Sequence, residues 1–138
     1  MTQPARVRDA NQLTPEELAQ AIVDYAADRK ALDIVQLDLR GMIGYTDYFV
    51  ICSGRTERQT KAIHDAIYEG LKSAHGRLPE RVEGLPGARW ILMDYLDVVV
   101  HIFTPAMRDF YRLESLWGEA PSRQLEEPEP QPEPVAGA

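Results

Sequence analysis

The architecture of this chain follows from one run of strand-forming residues, Asp47-Tyr48-Phe49-Val50-Ile51-Cys52. The run is aromatic or β-branched at nearly every position and lacks the polar alternation of a strand with one face in water. It therefore predicts an interior strand that is covered on both faces and lies near the centre of a sheet. Ser53-Gly54 ends this strand, and the segment from Thr56 to Gln59 offers a capping box for a following helix.

Periodicity predicts the elements on either side. Thr14 and Glu17 form another capping-box pattern, which starts a helix that runs to about Lys30. Residues 34–39 alternate apolar and polar side chains, as a strand with one covered face does. The helix after Thr56 ends at Gly76. The positions expected to pack are Leu18, Ile22 and Tyr25 in the first helix and Ile63, Ile67, Gly70, Leu71 and Ala74 in the second.

The second half of the chain predicts a loop, a hairpin and a last helix. Residues 77–88 are rich in Pro and Gly, and the apolar runs 88–94 and 98–103 are close enough to form an antiparallel hairpin. Thr104-Pro105 starts the last helix, which is expected to pack through Met107, Phe110, Leu113 and Trp117 and to end at Gly118. The order α-β-β-α-β-β-α is typical of an α/β fold with helices on a mixed sheet of about four strands.

The composition fits a single domain, with 138 residues of which 44% are hydrophobic. We predict a flexible N-terminus over residues 1–13, a folded domain over residues 14–118 and a disordered, acidic, proline-rich tail over residues 119–138. The net charge of −7 disfavours direct binding to a nucleic acid, but the tail, with five Glu and one Arg, supplies −4 of it. The nearly neutral remainder favours docking on a protein.

The sequence predicts a cytoplasmic protein. Cys52 is the single cysteine, so an intramolecular disulfide is excluded. No apolar run approaches the ~20 residues that cross a bilayer, and the polar residues 1–11 do not have the pattern of a secretion signal. We therefore expect no membrane association.

Residue patterns for catalysis or metal binding are weak. The thiol lies in the most hydrophobic strand, the histidines lack zinc-motif spacing, and a single glycine does not make a nucleotide loop. The two hairpin aspartates are three residues apart and straddle a turn, so they do not share a strand face. We expect no enzyme activity, no metal and no cofactor. The residues considered were Cys52, His64, His75, His101, Ser53 with Gly54, Asp94 and Asp97.

A contact surface is indicated instead near the hairpin. Arg89, Trp90 and Tyr95 are of the types enriched at protein interfaces. On a strand, Trp90, Leu92 and Asp94 point to one side and the alternate residues to the other, so one set faces the helices. Trp90 can thus be a partner contact, or it can pack beneath the last helix.

Three segments together indicate a family. They are TDYFVICSG (46–54) followed by Arg58-Gln59, GARWILMDY (87–95), and DVVVHIF (97–103) followed by RDFYRLESLW (108–117). In order and spacing they cover about residues 14–118, and the chain resembles the ribosomal silencing factors, also called the Iojap or oligomerisation-domain family. One departure is Leu96, where the family commonly has glycine. Leucine resists the positive φ that glycine permits, so the shape of this turn stays open.

The resemblance implies a translation repressor, not an enzyme. Such a factor binds ribosomal protein number fourteen of the large subunit, blocks the small subunit sterically and slows translation when nutrients are scarce; some members form homodimers. The family's partner-binding positions match Trp90, Leu92, Asp94 and Tyr95, and Arg89 lies beside them. The implied fold is related to that of nucleotidyltransferases, but the paired aspartates of those enzymes, Asp-x-Asp, do not occur here.

Two other functions compete with this interpretation. A relic nucleotidyltransferase would bind a nucleoside triphosphate with magnesium. A homo-oligomeric scaffold would recruit partners through its acidic tail, without ribosomal protein.

Overall fold

The computed structural model describes residues 12–42, 44, 46–113 and 121–124. Its elements are α1 (Pro15–Asp28), β1 (Leu32–Asp38), β2 (Tyr48–Ser53), α2 (Glu57–His75), β3 (Arg81–Glu83), β4 (Trp90–Asp94), β5 (Val98–Phe103), α3 (Pro105–Tyr111) and β6 (Ser122–Gln124). The predicted α/β class with a mixed sheet is confirmed, and so is the order α-β-β-α-β-β-α. The short strands β3 and β6 are additional, so the sheet has six strands instead of about four.

The strands form one sheet in the order β3-β4-β5-β2-β1-β6. β2 and β5 lie side by side in parallel, and the other neighbouring pairs are antiparallel. All residues of β2 and β5 are buried. The prediction of a central strand covered on both faces is therefore confirmed for β2, and the predicted hairpin is formed by β4 and β5.

α1 and α2 cover one face of the sheet, which we call the helix face. α1 begins at a complete capping box, in which Thr14 and Glu17 each accept a hydrogen bond from the other's backbone N–H. Apolar side chains of both helices interlock above the strands, as predicted, although Ala74 is exposed. The largest buried residues on this face are Leu18, Ile22, Ile34, Ile63, Ile67, Leu71, Ile91, Met93 and Tyr95.

The predicted capping box at the start of α2 is only half formed. The Thr56 side chain accepts from the N–H of Gln59, but Gln59 Oε1 accepts from the N–H of Arg55 at 2.7 Å. Gln59 Nε2 donates to the carbonyls of Arg29 and Lys30 at 3.1 and 3.2 Å. Gln59 therefore ties the beginning of α2 to the end of α1.

The opposite side of the sheet, which we call the second face, is also apolar, and α3 packs at one end of it. Met107 and Leu113 are half-buried against this face, as predicted. Phe110 was expected on the core side and is 75% exposed, because α3 is short and the chain leaves it at Arg112 with a φ of 47°. Trp117 and Gly118 lie outside the described residues. The buried members of the second face are Val35, Leu37, Leu39, Phe49, Ile51, Val99 and Phe103.

A sixth strand forms inside the segment that the sequence predicts to be disordered. Ser122–Gln124 pair antiparallel with β1, and the N–H of Asp38 donates to the carbonyl of Pro121 at 2.9 Å. The expectation of disorder is therefore wrong for these residues, because the unpaired edge of β1 provides backbone partners that composition does not reveal. The domain boundaries at residues 13 and 118 stay predictions.

Candidate functional site

Three of the five predicted partner-binding residues share one surface. Residues that face each other on paired strands point to the same side of a sheet, so the strand register determines which side chains share a surface. Trp90, Leu92 and Asp94 point to the second face, and all three are partly exposed. On β5, the residues that face Trp90, Leu92 and Asp94 are, in that order, Phe103, His101 and Val99. On β3, Glu83 faces Leu92 and Arg81 faces Asp94.

Trp90 is both a packed and an exposed residue. Its ring lies 4.9 Å from that of Phe103 and 4.8 Å from that of Tyr111, measured between centroids. Its indole Nε1 donates a hydrogen bond to His101 Nδ1 at 3.1 Å. The interpretation that Trp90 packs beneath the last helix is thus correct in part, because the indole contacts β5 and α3 and yet stays partly exposed. Its role as a partner contact stays a prediction.

Gly84 fixes the main chain behind Trp90. Gly84 has a φ of 91°, and a Cβ atom placed there would lie 2.0 Å from the Trp90 carbonyl oxygen. A larger residue would therefore have to displace the backbone of Trp90. The requirement for glycine at this loop position comes from the close approach to β4.

His101 holds the Trp90 indole through a neutral imidazole. Because Nδ1 accepts the indole N–H, this nitrogen carries no proton, and the ring is the Nε2–H tautomer. Burial lowers the pKa of His101 from 6.5 to about 4. His101 therefore stays uncharged at neutral pH, and its place below the surface is that of a positioning residue.

Asp94 shapes the hairpin turn as well as the surface. Its Oδ1 accepts from the N–H of Leu96 at 2.8 Å, and its Oδ2 lies 3.6 Å from Arg81 Nε. The N–H of Asp97 donates to the carbonyl of Tyr95 at 2.9 Å, and Leu96 between them has a φ of 74°. This bond over two residues, with a positive central φ, is the pattern of a strained γ-turn. Leucine thus adopts the conformation that glycine would favour, with the Asp94 carboxylate supporting it.

Tyr95 and Arg89, the other two predicted contacts, differ sharply in solvent exposure. The side chain of Tyr95 is 0% exposed and packs on the helix face, on the opposite side of the sheet from Trp90. Its inclusion in the surface is therefore corrected, because strand alternation turns it inward. Arg89 is 65% exposed, and its Nε lies 3.6 Å from Glu57.

Two further residues belong to this surface and were not among the predicted contacts. Tyr111 packs on Trp90, and Phe110 meets Tyr111 edge to face at 4.9 Å. Both are exposed, which is unusual for adjacent aromatic side chains. Helical spacing had predicted Phe110 in the core, and this prediction is wrong because α3 ends already at Tyr111. Nothing in the sequence indicated this early end.

The described residues offer little for chemistry. Burial raises the pKa of the Cys52 thiol to about 12, so it is not a thiolate at neutral pH. Within the described ranges, no group of three or more His, Cys, Asp or Glu side chains is placed to hold a metal ion. Over the same ranges, no helix has the length and apolar character needed to span a membrane.

Comparisons with known proteins agree on one family. The family described as "Ribosomal silencing factor during starvation" matches residues 12–137. A Bacillus subtilis protein named ribosomal silencing factor RsfS is 40% identical over 116 residues, which cover 84% of this chain and 95% of that protein. A crystal structure of a Chromobacterium violaceum protein superposes with a TM-score of 0.74 at 32% identity, covering 86% of this chain and 98% of that one.

A more distant relative comes from Mus musculus. It is named mitochondrial assembly of ribosomal large subunit protein 1 and is 31% identical over 98 residues, which cover 70% of this chain and 43% of that protein. The family match extends over nearly the whole chain, and its bacterial members share both sequence and fold with it. The chain therefore belongs to the ribosomal silencing factor family, whose role is the regulation of translation at the ribosome.

Proposed function

We propose that the chain binds the large ribosomal subunit through ribosomal protein number fourteen and sterically prevents the small subunit from joining. Translation would then slow under nutrient limitation, in keeping with the starvation named for the family. The observation that carries the proposal is the surface formed by Trp90, Leu92 and Asp94 on the second face. The large subunit is favoured because the name of the mouse relative refers to it.

This surface has the composition of a protein-binding site. A half-buried Trp and a half-buried Leu lie at its centre, and charged side chains lie around them. Interfaces commonly combine an apolar centre with a polar rim, and Trp is prominent among the residues that dominate binding energy. We therefore assign the anchor to Trp90 and Leu92, and the rim to Arg89 and Asp94.

Occlusion requires no chemical turnover, and we propose that the chain is not an enzyme. We also propose that it acts in the cytoplasm, where bacterial ribosomal subunits join. We also propose that the chain can form a homodimer, as the resemblance implies for some members of the family. Sedimentation equilibrium of the purified chain measures the dimer directly.

Leu92→Arg tests the surface, with Leu78→Arg as its matched control. Both changes place an arginine at a partly or largely exposed leucine, but Leu78 lies on the loop after α2 and is 48% exposed. We expect Leu92→Arg to weaken co-sedimentation with purified large subunits by roughly tenfold or more, and Leu78→Arg to leave it near the parent value. Melting of both variants shows that they are folded.

Equal binding by the two variants contradicts the assignment of the surface. Binding of the parent to small subunits only, or to neither subunit, contradicts the proposed function as a whole. The competing relic nucleotidyltransferase would show heat on titration with nucleoside triphosphate and magnesium. The competing scaffold would recover partners without ribosomal protein.

A further inference from the structure

One end of the sheet carries positive charge that the net charge of the chain conceals. At this end β2 and β5 finish and β1 and β4 begin. Backbone hydrogen bonds hold its turns together, including Gly54 N–H to the carbonyl of Phe103 and Thr104 N–H to that of Arg89, both 2.9 Å. Gln59 joins the end of α1 to the same region. We call this region the basic end.

Charge is separated between the two ends of the sheet. The basic end has three more positive than negative side chains among the described residues, although the chain has a net charge of −7. Its basic residues are Arg29, Lys30, Arg55, Arg58, Arg89, Arg108 and Arg112, and its acidic residues are Asp28, Asp33, Glu57 and Asp109. At the opposite end, the acidic residues Glu16, Glu17, Asp38, Asp47, Glu80, Asp94 and Asp97 outnumber the basic residues Arg40, Lys72, Arg77 and Arg81.

Most of these cations are available to an external anion. Arg29, Lys30, Arg55 and Arg58 are exposed, and none forms an ion pair with any residue that the structure describes. The Arg89 pair with Glu57 is long and solvent-exposed, so it contributes little that an incoming anion would have to replace.

A cleft of about 480 Å³ opens in the basic end between β1, β2 and α3. Arg108 and Arg112 line it, and Arg108 Nη1 donates to the buried Ser53 Oγ at 3.0 Å. Asp33 and Asp109 also line the cleft, which disfavours a small free anion held there alone. A polyanion that enters the cleft and also contacts the surrounding exposed cations is favoured.

We propose that the basic end binds the phosphate backbone of ribosomal RNA in the large subunit, while the second face binds ribosomal protein. This inference rests on the proposed function. A contact of this kind reads phosphates and not bases, so it adds RNA binding without sequence specificity to a chain whose composition predicted none. The acidic end of the sheet is then directed away from the RNA, which orients the protein on the subunit.

Arg58→Glu tests the basic end, and Lys72→Glu is its matched control. Both residues are exposed on α2, at opposite ends of the same helix, and both changes alter the net charge equally. Binding to purified large subunits is measured over a series of salt concentrations. Each phosphate contact adds roughly 0.9 to the slope of log affinity against log salt, so Arg58→Glu should flatten the slope by about 1 and weaken binding several-fold. Lys72→Glu should leave the slope unchanged.

Equal slopes for the two variants overturn this inference, whereas the proposed function is contradicted if the parent chain binds small subunits only, or neither subunit. Two further arms identify the anion. Displacement of the parent chain by millimolar GTP or pyrophosphate points to a small phosphate ligand and overturns the assignment to RNA. The comparison is repeated in chains that end at Gln124 and lack the acidic residues 125–138. If the difference between Arg58→Glu and Lys72→Glu disappears there, the basic end binds the chain's own glutamates and the inference is wrong.

Discussion

Replacement of Trp90 by alanine should lower both stability and subunit affinity, by separable amounts. Truncating a fully buried aromatic residue costs about 3–5 kcal/mol of folding free energy, and the half-burial of Trp90 reduces this to about 2 kcal/mol. The variant also leaves Nδ1 of His101 without its indole donor, at a cost of about 1 kcal/mol. The sum of about 3 kcal/mol is smaller than the usual stability of a domain, so Trp90→Ala should fold and melt about 10 °C lower.

Trp90→Phe separates packing from partner binding. It keeps a ring against Phe103 and Tyr111 and loses the hydrogen bond to His101, so we expect a stability loss of about 1 kcal/mol. Well below the melting temperature, subunit affinity should fall by about thirtyfold for Trp90→Ala, from a contact of about 2 kcal/mol, and by less for Trp90→Phe. Circular dichroism melting and co-sedimentation provide the two numbers.

Either of two results would contradict this dual role of Trp90. An unchanged melting temperature in Trp90→Ala would show that the indole does not pack on β5 and α3. Unchanged subunit affinity in a folded Trp90→Ala would show that the indole is a core residue only.

Four other experiments have defined outcomes. Leu96→Gly should raise the free energy of unfolding by about 1 kcal/mol, because glycine relieves a positive φ at an exposed position. A lower free energy of unfolding in chemical denaturation would contradict the strain. A chain ending at Gln124 should melt like the parent, whereas a chain ending at Gly118 lacks β6 and should lose about 1–2 kcal/mol of folding free energy. Equal melting temperatures of the two truncated chains would contradict a stabilising role of β6. The free energy of unfolding should depend on pH through His101. Its pKa is lowered to about 4 in the folded chain, so as the pH falls the unfolded chain takes up this proton first. Stability is then complete above pH 6.5 and falls by up to about 3 kcal/mol as the pH drops to 4, and His101→Leu should flatten this part of the curve. Incubation with labelled nucleotide and magnesium should transfer no label, and transfer that Asp94→Asn abolishes would reassign the protein to the enzymes.

Much of the fold was predictable because local patterns and tertiary burial agree in it. The unbroken apolar run of β2 indicated a central strand, and the pairing of Thr14 with Glu17 indicated the start of α1. β6 was not predictable, because three residues of a Glu/Pro-rich segment form a strand only where the edge of β1 offers partners. Leu96 shows the same limit, since its φ depends on support from the Asp94 carboxylate.

The sequence predicted which residues of β4 share one side of the sheet, but it did not predict the complete set of residues on the candidate surface. Alternation along β4 correctly placed Trp90, Leu92 and Asp94 on one side. The same alternation excludes Tyr95 from that side, although both its residue type and the family resemblance had predicted it there. The basic end could not be predicted from net charge, because its basic residues come from four separate chain segments that only the folded sheet brings together.

Subunit joining measured by light scattering tests the central claim most directly. Purified large subunits are incubated with the chain, small subunits are added, and the amplitude of the joining reaction is recorded against the concentration of the chain. Occlusion predicts that the amplitude falls as large subunits become occupied and is lost at saturation, with Leu92→Arg shifted to higher concentration and Leu78→Arg unchanged. Full joining of large subunits that co-sedimentation shows to be saturated with the chain would contradict it.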